Sequence, residues 1–135
     1  MIVVDSNILV HFFLNGEHRN LLERVRSRDS EWVAPILWRS EFRNVCIKMN
    51  RFGNIPLPVL LKGMEEADDV MRASTFRVQS NHVIVIAHRY QLTAYDAEYL
   101  SLALELDCQV LTFDKAMISK CPDVIIHPYD WLASH

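Results

Sequence analysis

Cysteine is scarce in this chain, and the three present (Cys46, Cys108 and Cys121) form no C-x-x-C pair. An odd set of scattered thiols excludes a disulfide-stapled secreted scaffold and implies a reducing, cytoplasmic setting. No apolar stretch approaches the roughly 20 residues of a membrane span. The opening Met1-Ile2-Val3-Val4-Asp5 lacks the basic region of a secretory signal. Repeats, low-complexity tracts and linkers are missing too, so the 135 residues should form one domain with a sizeable core. The six histidines include no H-x-x-x-H pair, which argues against a zinc-type site. A basic excess is also lacking, since the formal net charge is −3. Setting aside the four acids singled out below turns that −3 into +1, so local charge distribution decides more than the total.

What is present is a regular alternation. Half of the residues are hydrophobic and 23% are charged, as in an ordinary globular protein. Short apolar runs at 2–5, 31–34, 76–78, 109–112 and 124–126 are separated by segments of helical periodicity. Helices are expected across 7–14, 17–28, 35–51, 56–71, 81–90, 94–106 and 116–120, with a docking tail at 129–132. Pro35 is placed in the first turn of the third helix, and Gly53 at its end. Such alternation predicts an α/β fold, a parallel sheet flanked by helices, because parallel strands need crossovers and are buried on both faces. Trp32, Trp38 and Trp131 are expected in the core or a dimer contact.

Four carboxylates occupy positions where a core would exclude them. Asp5 closes Ile2-Val3-Val4 and Asp114 follows Val110-Leu111-Thr112-Phe113, both at the carboxyl end of an expected strand. That edge is where open parallel sheets carry functional residues. Glu41 lies in the helical row from Leu37 to Val45, and Asp96 in a row with Tyr99, Leu100 and Ala103. Glu98, Ser101 and Glu105 are assigned to the wet face of that last helix. Asp5 and Asp114 also suit helix N-caps, and Thr93-Ala94-Tyr95-Asp96 a capping box. Converging carboxylates repel by roughly 1 kcal/mol per pair at 4 Å in water, and by more in a shielded cleft. A divalent cation removes that cost. An all-oxygen donor set favours Mg2+ or Mn2+ over Zn2+. Ser6 and Thr112 place hydroxyls beside the acids.

These residues resemble the PIN domain family, most closely its VapC-type toxins, over essentially the whole chain. The likeness is borne by Ile2-Val3-Val4-Asp5-Ser6-Asn7, by Glu41, by Tyr95-Asp96-Ala97-Glu98-Tyr99-Leu100-Ser101-Leu102-Ala103 and by Leu111-Thr112-Phe113-Asp114-Lys115. It implies a twisted parallel sheet and an acidic pocket holding Mg2+ or Mn2+. It implies endoribonuclease activity on unpaired RNA, a homodimer and a cognate antitoxin as partner. Asp5, Glu41, Asp96 and Asp114 become metal ligands or water-positioning groups, with Ser6 and Thr112 in support. In-line hydrolysis by metal-activated water would leave a 5′-phosphate and a 3′-hydroxyl. Where many relatives have a further Asp or Asn after the fourth acid, this chain has Lys115, Ala116 and Met117.

Arg39 and Arg43, on one helix face beside Glu41, and Lys115, next to Asp114, are candidate RNA contacts. Faces bearing Leu21, Leu22, Val25, Leu60 and Leu61 are candidates to receive an antitoxin helix. Two rival readings keep the fold: a nuclease of RNA maturation, and a PIN-like module that binds without cutting.

Overall fold

The apolar triplets do form the centre of the molecule, as very short strands. A computed structural model describes residues 1–135. The strands are β1 (Ile2–Val4), β2 (Trp32–Pro35), β3 (Thr75–Phe76), β4 (Gln109–Leu111) and β5 (Ile125–Ile126). They make one parallel sheet in the order β3-β2-β1-β4-β5, with Val3 opposite both Val33 and Val110 and Val110 opposite Ile125. Every residue of β1 and β2 is buried, which is why these runs are apolar throughout instead of alternating. The chain builds outward from β1 to β3, then returns to place β4 on the other side of β1. That reversal opens a crevice beyond the carboxyl ends of β1 and β4, the usual ligand position in such sheets.

Eight helices surround the sheet: α1 (Ser6–Phe13), α2 (Arg19–Arg28), α3 (Leu37–Gly53), α4 (Leu57–Met71), α5 (Ser80–Tyr90), α6 (Ala94–Leu106), α7 (Lys115–Lys120) and α8 (Pro128–Ser134). Helix α6 packs on β1, β2 and β4 with α5 against its other side. Being enclosed on two sides, it buries Ala97 and the whole run Tyr99–Ala103. This corrects the expected wet face: Ser101 is fully buried, and its hydroxyl pairs with the His82 ring of α5 at 2.7 Å. Helix α4 crosses α1 at Gly63, where a Cβ would lie 3.0 Å from the Phe13 carbonyl oxygen and 2.3 Å from a Leu14 methyl.

Other boundaries moved for definite reasons. Pro35 ends β2 instead of opening α3; it lies past the pairing with β1, which stops at Val33, so its missing N–H breaks no bond to that strand. Strand β3 is Thr75–Phe76, set by pairing with Ala34 and Pro35, where 76–78 was expected. Gly53 is the last helical residue of α3, and Asn54 takes the left-handed cap at φ 54°. The tail is a true helix, α8, opened by Pro128 and capped by His127. Trp32, Trp38 and Trp131 are all buried. So are Leu22, Val25 and Leu60, which removes them from any partner groove.

Candidate active site

Asp5 leaves β1 at the crevice and is only 6% exposed. Its backbone N–H still donates to the Leu111 carbonyl of β4 at 3.0 Å, so the ladder holds the residue in register. Its side chain is gripped on both oxygens: Oδ1 accepts the Ser6 backbone N–H at 2.7 Å, and Oδ2 accepts the Thr112 hydroxyl at 2.7 Å. The first bond is also the N-cap of α1, so capping and site position coincide.

Thr112 is fully buried, and its hydroxyl is used completely. It donates to Asp5 and accepts from the Asp114 N–H at 3.1 Å and from Asn7 Nδ2 at 3.1 Å. One donor and two lone pairs are thereby all satisfied. Asn7 further accepts the Phe113 N–H at 3.3 Å and so ties the β1–α1 turn to the β4–α7 loop. Asp114 accepts the Met117 N–H at 3.1 Å as the cap of α7, and is itself exposed.

Glu41 reaches the crevice from α3. Its Oε1 accepts a 2.6 Å hydrogen bond from the hydroxyl of Tyr99, a residue of α6 with no exposed surface. An arginine partner, the ordinary explanation for an inward glutamate, is not there. Asp96 sits in the first turn of α6, its N–H held by the Thr93 hydroxyl at 3.1 Å.

The electrostatics agree with crowding. Burial first, with repulsion from Glu41 and Asp96, pushes the Asp5 carboxyl up to about 7 against the opposing Thr112 and Ser6 bonds. Glu41 is raised by burial and by Asp96, while the Tyr99 and Ser6 hydroxyls pull the other way. Asp96 is raised by burial and then by Asp114. Tyr99 is held far above the ordinary phenol range by burial and by the Asp5 and Glu41 charges, so it keeps the proton that it donates to Glu41. Asp5, Glu41 and Asp96 thus each feel another carboxylate, and no ion pair in the protein engages any of these three or Asp114.

As the side chains stand, no three His, Cys, Asp or Glu residues form a closed metal cage. The donor set nonetheless fits one kind of ion. Mg2+ takes few carboxylates, retains several waters and needs no complete protein cage, and the donors here are carboxylates and hydroxyls only.

Arg39 is bound to Asp68 at 3.0 Å, across a separate depression lined by Ile36, Trp38, Met71, Arg72 and Thr75. Arg43 donates to the Arg39 carbonyl at 3.1 Å within α3. Neither is bonded to the acids. Lys115 is exposed beside Asp114. Sequence reading missed two residues. Asn7 was visible in the Asp5-Ser6-Asn7 triplet, and Tyr99 lay in the same row as Asp96, but neither pattern shows what a side chain will meet.

The structure is thus a parallel α/β domain of the open-sheet class, with a buried carboxylate just past its first strand. The PIN domain family model matches residues 2–121, and the chain belongs to that family, whose members are typically metal-dependent nucleases. Similar solved structures include the crystal structure of PAE2754 from Pyrobaculum aerophilum, at 17% identity and a TM-score of 0.78, covering 98% of this chain and 94% of that one. A toxin–antitoxin complex from Klebsiella pneumoniae matches at 14% identity and a TM-score of 0.69, covering 96% and 98%. Identities this low show a shared fold. No curated protein matches the chain.

Proposed function

We propose that the chain is a Mg2+- or Mn2+-dependent endoribonuclease and the toxin of a VapBC-type toxin–antitoxin pair. The reading is supported by a chain of mutual repulsion that runs from Asp5 through Glu41 and Asp96 to Asp114, none of which has a cationic partner. Burial and mutual repulsion raise three of them. A divalent cation beside them offsets both costs. Bound there, it supplies charge neutralisation at a phosphodiester and acidifies water.

The chain's own residues prepare the place. Thr112 and the Ser6 N–H aim both Asp5 oxygens, Tyr99 fixes one Glu41 oxygen, and Asn7 locks the two loops that carry Asp5 and Asp114. All four acids are retained, which opposes the reading of a PIN-like module that only binds. The toxin role is supported by the fold shared with the Klebsiella pneumoniae toxin–antitoxin complex. Partner contact, with an antitoxin or a second copy, needs apolar surface. Phe52, Leu57, Val59 and Leu61 supply it around α3 and α4, Phe52 being 82% exposed.

The test is cleavage of labelled single-stranded RNA by purified protein with Mg2+, with Mn2+ and with chelator. Cutting should require the ion, and Asp96→Asn should lose at least about 100-fold of the rate, or roughly 3 kcal/mol, while melting no lower than wild type. Undiminished cleavage by Asp96→Asn overturns the assignment. Expression of the chain alone should arrest growth, and co-expression of the adjacent reading frame should relieve it. Equal growth in both, with soluble protein verified, overturns the toxin role and favours RNA maturation.

A further inference from the structure

The edge of the sheet that carries the four acids also carries a second concavity. Its volume is about 470 Å3, and Lys115, Ile118, His127, Tyr129 and Asp130 line it. Strand β4 leads through Asp114 into α7, and β5 leads through His127 into α8. Both walls therefore stand beyond the carboxyl ends of adjacent parallel strands. Lys115 follows Asp114 directly. On the other side of Asp114, Phe113 meets the His127 ring edge-on at 5.3 Å and stacks with His18 at 4.5 Å. The pocket and the acidic crevice thus share the 112–115 loop.

Apart from His127, which caps α8, the polar side chains of the lining make no hydrogen bond or ion pair within the fold. Tyr129 is 68% exposed although aromatic. Its backbone N–H donates to His127 Nδ1 at 3.1 Å, which leaves the proton of the neutral ring on Nε2. Burial lowers the His127 pKa, so the ring is a neutral aromatic surface at neutral pH. No ion pair engages Lys115 or Asp130. Aromatic rings, an aliphatic wall, one cation and one carboxylate together complement a ligand that is flat, has N–H donors on its edge and bears a phosphate. An unpaired nucleotide is such a ligand, whereas a duplex keeps its base edges paired and its faces stacked.

We propose that this pocket is a nucleotide subsite, in which an unpaired RNA base next to the cleaved phosphate lodges against Tyr129 and His127, donates from its edge to Asp130 and sets its phosphate beside Lys115. Guanine suits it best, because N1–H and the N2 amino group lie side by side and can meet both oxygens of one carboxylate. This assignment rests on reading the chain as a ribonuclease.

The experiment uses a randomised single-stranded RNA pool, with the cut ends sequenced, and wild type beside Tyr129→Ala, Tyr129→Phe and Asp130→Asn. Wild-type ends should be enriched in guanine at one position flanking the cut. Tyr129→Ala should raise KM about tenfold, in keeping with the loss of one base–aromatic stack, and Tyr129→Phe should restore it. Asp130→Asn should cut with the guanine preference gone. An unchanged KM and end profile in both Tyr129→Ala and Asp130→Asn overturns the subsite. Should wild type cut no RNA, the ribonuclease reading fails by itself. Fluorescence anisotropy with guanine-containing oligonucleotides then tests the pocket alone, and equal binding by wild type and Tyr129→Ala overturns it.

Discussion

Replacing Asp5 with asparagine removes the charge of the most buried acid and keeps its shape. In the fold this carboxyl titrates near 7, against an ordinary value of 3.8, chiefly because burial disfavours the anion. An acid whose folded value is raised binds its proton more tightly in the folded state. Its contribution to stability is therefore fully present below about pH 3.8 and is lost as pH rises toward 7. Across that interval the ionised group costs the fold roughly 4 kcal/mol. The asparagine avoids this cost, but its amide nitrogen cannot accept the bond that one Asp5 oxygen takes from Ser6 or Thr112, which forfeits about 1–2 kcal/mol. Asp5→Asn should thus match wild type or fall slightly below it near pH 4.5, and exceed it by about 2–3 kcal/mol at pH 8. Urea unfolding at a series of pH values measures the difference, expected as a midpoint gain of about 1–2 M at pH 8. Glu41 and Asp96 are also raised, so both proteins lose stability with pH, and only the difference between them reports Asp5. A difference independent of pH, or a variant weaker than wild type at pH 8, would refute the reasoning.

Thr112→Val should destabilise by about 2–4 kcal/mol, since it leaves the Asp114 and Asn7 donors and the Asp5 anion each short of a partner, whereas Thr112→Ser should stay within about 1 kcal/mol; equal denaturation midpoints for the two variants would contradict this. Gly63→Ala should lower stability by about 1–2 kcal/mol, because crowding against the Phe13 carbonyl outweighs the gain of about 1 kcal/mol in helix propensity, and a raised melting temperature would show that α4 can lift away freely.

The α/β class and the placement of the acids were legible in the residues themselves. Buried parallel strands read as unbroken apolar runs, so an acid that follows one stands out, Asp5 directly after β1 and Asp114 three residues past the end of β4. Helical periodicity likewise exposes an inward Glu41 between Leu37 and Val45. The same periodicity failed for Ser101, because a single apolar stripe describes a helix with one wet face and α6 has neighbours on two sides. The start of α3 and the end of β2 were misplaced for a related reason: whether Pro35 continues a strand or opens a helix depends on its pairing with distant β3.

What lies between elements far apart in the chain had no signal along it. The order β3-β2-β1-β4-β5 sets Asp5 against Thr112, which in turn holds the Asp114 N–H, and no local pattern encodes which strands become neighbours. The Thr112 hydroxyl that serves Asp5, the Tyr99 hydroxyl that holds Glu41, and the histidines that gather at Phe113 are contacts across 107, 58 and up to 102 positions of sequence. Composition and periodicity act over a turn or a strand and therefore determined which residues are inside. Only the packed fold could decide which of them touch, since hydrogen bonding and desolvation act over a few ångströms of space whatever the distance along the chain.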